Sequence, residues 1–188
     1  MPDLTDKIEL ASGKFFSLRE PRGEDFTLTD VAHGLAMTCR FSGQCSRHYS
    51  VAAHAILVSQ RLADQGHDYL TQLAGLHHDD AEAFVTDVPR PAKALLPDYK
   101  VLEERVLEAV LDGLGLSRLW IIVHHDVVKL ADNWTLAQEA HELMPSRGLH
   151  WSLGAEWDGE LKSLGMTDPI TERNRWLRRH YYLMDKLA

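Results

Sequence analysis

The chain has 188 residues, 45% of them hydrophobic and 26% charged, the length and make-up of one globular domain, so a single domain over 1–188 is expected. A net charge of −8 argues against a nucleic-acid polymer as partner, since that surface needs a basic stripe, but leaves local cations free to hold a small anion. Met1 to Asp6 lack the basic-then-apolar pattern of a signal peptide, and no apolar run approaches the roughly eighteen residues of a membrane span, so a cytoplasmic protein that does not enter a membrane is expected.

In chain order, Lys7 to Leu18 alternate weakly about the turn signal Ala11-Ser12-Gly13 and predict a small N-terminal β-hairpin. After Pro21-Arg22-Gly23, Thr29 or Asp30 is placed to cap a helix carrying Val31, Ala32, Leu35 and Ala36 that ends near Cys39. Arg40 to Tyr49 reads as a loop. Cys39 and Cys45 match neither a zinc knuckle nor a Cys-x-x-Cys redox motif and read as reduced thiols. Ser50 suits the N-cap of a helix whose apolar stripe is Val51, Ala55, Val58 and Leu62 and which stops at Gly66. His54 falls within that stripe, where a lone histidine is more often a hydrogen-bonded core residue than a ligand.

Asp68 to about Val85 predicts the next helix, closed by Val88-Pro89-Arg90-Pro91. It carries Leu76-His77-His78-Asp79-Asp80-Ala81-Glu82, two imidazoles and three carboxylates in an apolar segment. Such a cluster needs pairing or a metal. Helical spacing aims His78, Asp79 and Glu82 at one volume and leaves His77 and Asp80 facing solvent or neighbouring the site. Tyr99 to Leu114, with Val101, Leu102, Val106, Ala109, Val110 and Leu114 on one face, reads as scaffold. Leu119 to Met144 predicts a helix with Leu130, Ala131 and Leu136 among its apolar residues, where Asp132 sits poorly without a cation. Its His125-Asp126 dipeptide competes with His78-Asp79, but Lys129 follows it one turn on where Glu82 follows the first pair. The stretch from Gly148 to Pro169, with Trp151, Gly154 and Trp157, is irregular. Ile170 to Leu187 predicts a last helix with Trp176, Leu177, Tyr181 and Met184 packed inward and Arg175, Arg178, Arg179 and His180 solvated.

Two imidazoles and two carboxylates suit one divalent metal ion, cobalt, manganese, zinc, iron or magnesium, and the thiolates of a structural zinc site are missing. Such an ion acidifies water and makes it a nucleophile near neutral pH, and Glu82 is placed to manage the proton.

Arg40-Phe41, Tyr49-Ser50-Val51-Ala52-Ala53-His54, His78-Asp79-Asp80-Ala81-Glu82 with Asp87-Val88-Pro89, and Lys129-Leu130-Ala131-Asp132 together resemble the HD-domain phosphohydrolases. Within them the chain is most similar to the small branch of bacterial 5'-deoxynucleotidases and phage deoxynucleotide triphosphohydrolases, from about Ser12 to Met144. Ala53 departs from the glutamate common before the first histidine. The resemblance implies an all-α HD-domain bundle, His54, His78, Asp79 and Asp132 as metal ligands, Glu82 as acid/base, Asp87 as a catalytic assistant, Arg40 and Lys93 as phosphate contacts, and a homodimer. The activity implied is removal of phosphate from 2'-deoxyribonucleoside 5'-monophosphates. A triphosphohydrolase releasing tripolyphosphate is the nearest alternative, and a non-catalytic nucleotide-binding bundle with a structural metal is the alternative of another class.

Overall fold

A computed structural model describes residues 5–152, 155–160, 164–165 and 168–188. Residues 1–4, where no signal peptide is expected, and Gly154 lie outside them. The described chain is mostly helical, with one antiparallel hairpin of β1 (Lys7–Glu9) and β2 (Phe15–Ser17) in the register Ile8 opposite Phe16. Gly13 at φ +81 makes the turn between them.

Helix α1 (Leu28–Met37) starts one turn earlier than the sequence suggests. Thr27 is its N-cap and accepts from Asp30 N, while Asp30 reaches back to Thr27 N. Asp30 is therefore the second half of a capping box and not the cap. After a single 3-10 turn at Phe41–Gly43, α2 (Val51–Asp64) begins at Ser50, whose side chain accepts from Ala53 N as expected.

Helix α3 (Tyr69–His77) is followed by a tightened turn and then by α4 (Glu82–Val85). The single helix anticipated over 68–85 is thus interrupted at residues 78–81. Asp80 N bonds His77 O, Glu82 N bonds Asp79 O and Ala83 N bonds Asp80 O, all three residues apart. Three residues per turn stacks His77 over Asp80 on one side and Asp79 over Glu82 on the other. Then come α5 (Arg90–Lys93), α6 (Pro97–Gly113) with Pro97 at its first position, a 3-10 turn at Ser117–Leu119, α7 (Trp120–Val123), α8 (Asp126–Leu143) and α9 (Pro169–Leu187). The anticipated 119–144 helix is therefore divided, because His125 turns extended and caps α8 by accepting from Val127 N.

Helix α9 lies against α1, α2 and α3, and α8 against α2 and α3. Trp176 and Leu183 of α9 are fully buried, and Trp176 Nε1 donates to Leu76 O at 3.3 Å. Three expectations for α9 fail. His180 is buried and Arg179 bonds Ser59 and Gln72, so both turn inward, whereas Tyr181 is exposed. His180 stands four residues after Trp176 and three before Leu183, on the same stripe. Val101 and Leu130, placed on apolar faces by their spacing, are exposed.

Two contacts fix the short helix α4. Phe16 of the hairpin stacks on Phe84 at 4.1 Å, with Phe26 edge-on to both. Gly34 of α1 comes so near that a Cβ there would lie 2.5 Å from Ala83 O. Among the described residues, no helix is long and apolar enough to cross a membrane.

Candidate metal centre

His54 reaches the site from α2, His78 and Asp79 from the tightened turn, and Asp132 from α8. One ligand atom each from His54, His78 and Asp132 lies within 4.8 Å of the others, so these three can hold a metal ion. Their side chains are 0%, 9% and 13% exposed. His54 Nε2 is 3.3 Å from Asp132 Oδ1 and 3.6 Å from Asp79 Oδ2, and His78 Nε2 is 3.2 Å from Asp79 Oδ2. Asp79 thus stands beside the triad, bridging both imidazoles.

The donor set fits a cation in its hydrogen bonding as well as its composition. His78 Nδ1 lies 2.9 Å from Gly75 O, and His54 Nδ1 lies 2.7 Å from Glu139 Oε1. Both acceptors can only accept, so each ring donates through Nδ1 and offers Nε2 inward. Those two Nε2 atoms are buried and make no hydrogen bond. Burial and Arg40 work to lower the pKa of His54, yet the carboxylates of Glu139 and Asp132 outweigh them and raise it to about 9. Burial opposes ionisation of Asp79 and Asp132 too, but His78 and His54 respectively hold them below the usual carboxylate range.

Asp79 and Asp132 open onto a cavity of about 630 Å³, which Arg40, Glu82, Asp87 and Lys93 also line. The sequence therefore singled out residues that the fold brings to one place. Glu82 is buried, its Oε2 lacks a partner, and burial followed by the charges of Asp79 and Asp87 pushes its pKa well above the ordinary value. Asp87 is raised for the same first reason. Burial works against the charge of Arg40, but the surrounding carboxylates, led by Glu139, keep it protonated. Lys93 Nζ is 2.6 Å from Glu103 and 3.5 Å from Glu82, beside the Tyr99 ring. Its ammonium is thus shared with two carboxylates at the cavity wall.

Strain collects here. Phe41 and Ser42, next to Arg40, and Thr86, next to Asp87, take φ values of +56, +51 and +67. Non-glycine residues hold that conformation only where their surroundings enforce it.

Four residues escaped the sequence reading. Glu139 contacts both His54 and Arg40, with Oε2 3.1 Å from Arg40 Nε. Its signal was its place seven residues after Asp132, on the same face of α8. Arg90 and Lys129 line the cavity and reach Asp132 Oδ2 at 3.6 and 2.6 Å. Trp151, 6.1 Å from Phe41 between ring centroids, lines it as well. Conversely His77 and Asp80, expected to face solvent or neighbour the site, are fully buried on the α9 side, where His77 bonds Asp80 at 2.5 Å and His180 at 2.9 Å. His125 and Asp126 are exposed. Cys39 and Cys45 are free thiols with sulfurs 3.7 Å apart.

No family model matches the chain. It is similar to the uncharacterized protein YfdR of Escherichia coli, with 37% identity over 144 residues, 77% of this chain and 76% of that protein. An uncharacterized protein of Rhodobacter capsulatus is 32% identical over 139 residues, 71% of each chain.

Proposed function

The chain belongs to the family of YfdR, and we propose that it is a metal-dependent phosphohydrolase of the HD-domain type that removes phosphate from 2'-deoxyribonucleoside 5'-monophosphates. One observation carries this reading: two buried imidazole nitrogens that make no hydrogen bond and Asp132 converge beneath a cavity that also holds a buried arginine and a buried glutamate whose pKa is pushed well above its ordinary value.

A divalent cation held by His54, His78 and Asp132, with Asp79 beside them, supplies Lewis acidity toward a phosphate oxygen and toward water. The chain's own residues do the rest. Arg40, fixed by Glu139, presents its guanidinium to the phosphate and offsets charge developing on it. Glu82, whose pKa burial pushes well above the ordinary carboxyl value, is placed to hold a proton and deliver it to the departing 5'-oxygen. Asp87, at the cavity wall and also raised in pKa, assists at the sugar or the attacking water. Lys93 shares the wall and adds a second cation.

A second reading is favoured by Arg90 and Lys129, which with Arg40 and Lys93 put four cationic side chains around one cavity. That charge suits a triphosphate, cleaved at the α-phosphate with release of tripolyphosphate. A panel of nucleoside mono- and triphosphates incubated with cobalt, manganese, magnesium and zinc, with products resolved, decides. Inorganic phosphate from the monophosphates supports the first reading and tripolyphosphate the second. Silence across the whole panel contradicts both.

A further inference from the structure

Glu139 has no exposed surface, and its two oxygens are divided between two parts of the site. Oε1 takes the Nδ1 proton of His54 at 2.7 Å, and Oε2 takes the Nε proton of Arg40 at 3.1 Å. It reaches neither the cavity lining nor the cluster of candidate ligand atoms. We infer that Glu139 is a positioning residue that couples the metal site to the phosphate site, holding His54 and Arg40 in register through one buried carboxylate. This inference rests on the proposed function and goes beyond it, because it makes affinity for the cation and affinity for phosphate depend on one residue that touches neither.

First, a carboxylate only accepts, so Glu139 commits His54 to donating through Nδ1 and leaves Nε2 facing the cluster. Second, the Arg40 guanidinium is buried, and its other near carboxylate is Asp79, with NH1 3.9 Å from Asp79 Oδ2. A buried cation deprived of Glu139 turns to the charge that remains, so Arg40 would swing onto Asp79 and away from the incoming phosphate. Third, Glu139 lies on the rigid helix that carries Asp132, so the spacing between the ligand cluster and the arginine is set by the fold and not by a loop. Glu139 and His54 have no exposed surface and Arg40 very little, and burial strengthens both bonds.

The test is the isosteric substitution Glu139→Gln, with Glu139→Asp beside it, in the full chain. Two dissociation constants are measured on folded protein. One is for Co²⁺ alone, by calorimetry at fixed pH; the other is for inorganic phosphate on the metal-free protein, by ³¹P NMR titration. Glu139→Gln should weaken Co²⁺ binding by about 10- to 100-fold, the usual effect of losing a residue that orients a ligand, and weaken phosphate binding by about 10-fold or more. Glu139→Asp, which keeps the charge but is one methylene short, should recover part of both losses. Should Glu139→Gln fail to fold, Glu139→Asp alone must show both losses. A lower melting temperature with both constants unchanged assigns Glu139 a merely structural role and overturns the inference. Loss of one affinity without the other overturns it too. Wild-type protein that binds neither probe contradicts the proposed function along with it, whereas a wild type that binds both and a Glu139→Gln that matches it contradict this inference alone.

Discussion

On the α9 side of residues 77–82, His77 uses both ring nitrogens, one on Asp80 and one on His180, with Trp176 packed edge-on against the ring. On the cavity side, at the very next residue, His78 ties only Nδ1, to a backbone carbonyl, and leaves Nε2 buried beside Asp79 without a hydrogen bond. His54 repeats the second pattern from another helix. A histidine with both nitrogens engaged is part of the scaffold. One with a fixed Nδ1 and a free, buried Nε2 is poised for a ligand, because an empty buried nitrogen costs stability that folding alone does not return. The same residue types in adjacent positions thus separate into structure and chemistry by where their hydrogen bonds go.

Substitutions on the two sides should therefore fail in different ways. The largest effect belongs to the cavity side: His78→Ala or Asp132→Ala should reduce metal-dependent hydrolysis by about 10³-fold or more, and cost the metal-free protein about 1–3 kcal/mol because Asp79 or His54 loses a charged neighbour. Turnover assays and denaturant melts on the same preparations read both numbers, and retained turnover would break the assignment. Next comes the scaffold side, where Asp80→Ala leaves His77 with an unmatched buried nitrogen and should cost about 3 kcal/mol of unfolding free energy. A change below about 0.5 kcal/mol would erase the distinction drawn here.

Gly34→Ala tests how the two sides are held together. The new Cβ would meet the Ala83 carbonyl, backbone that cannot step aside, so a loss of about 1–3 kcal/mol is expected. Because Ala83 follows Glu82, turnover of the folded fraction should fall with it; a variant as active and as stable as wild type would show that the contact relaxes freely.

The last effect is a pH dependence. Burial first, and then His77, lower the pKa of His180 from 6.5 to about 3. Between those values the unfolded chain binds more protons than the folded one, so this group makes stability fall as pH is lowered from about 6.5 towards 3, with no further change below. Unfolding free energies of wild type and His180→Gln across that window should converge as the pH drops. Parallel curves would mean that His180 is not buried as a neutral ring.

Much of this was legible in the sequence where local rules suffice. The hairpin follows from its turn signal, α2 from Ser50 and its apolar stripe, and the gathering of His54, His78 and Asp132 from ligand chemistry joined to a family resemblance. What escaped depends on partners far away in the chain. No glycine or proline lies between His77 and Glu82 to announce the break after α3. The break puts His77 against His180, 103 residues later, and Asp79 over Glu82 at the cavity. Helical periodicity with 3.6 residues per turn turned His77 and Asp80 away from the cavity correctly, but nothing local showed that α9 covers that side and buries them. The inward turn of His180 was readable from its spacing to Trp176 and Leu183, but the neighbouring Arg175, Arg178 and Arg179 disguised it. Glu139 was hidden among Leu136, Ala137, Ala140 and Leu143, and only its register with Asp132 marked it.

Divalent-cation binding by calorimetry, compared between wild type, His78→Ala and His125→Ala, tests the central claim most directly, since each variant removes one histidine from a His-Asp pair. One ion should bind per chain in the wild type and in His125→Ala, whose side chain is exposed and distant in role, and binding should be lost in His78→Ala. A His78→Ala protein that binds the cation as tightly as wild type, or a wild type that binds none, would contradict the metal centre.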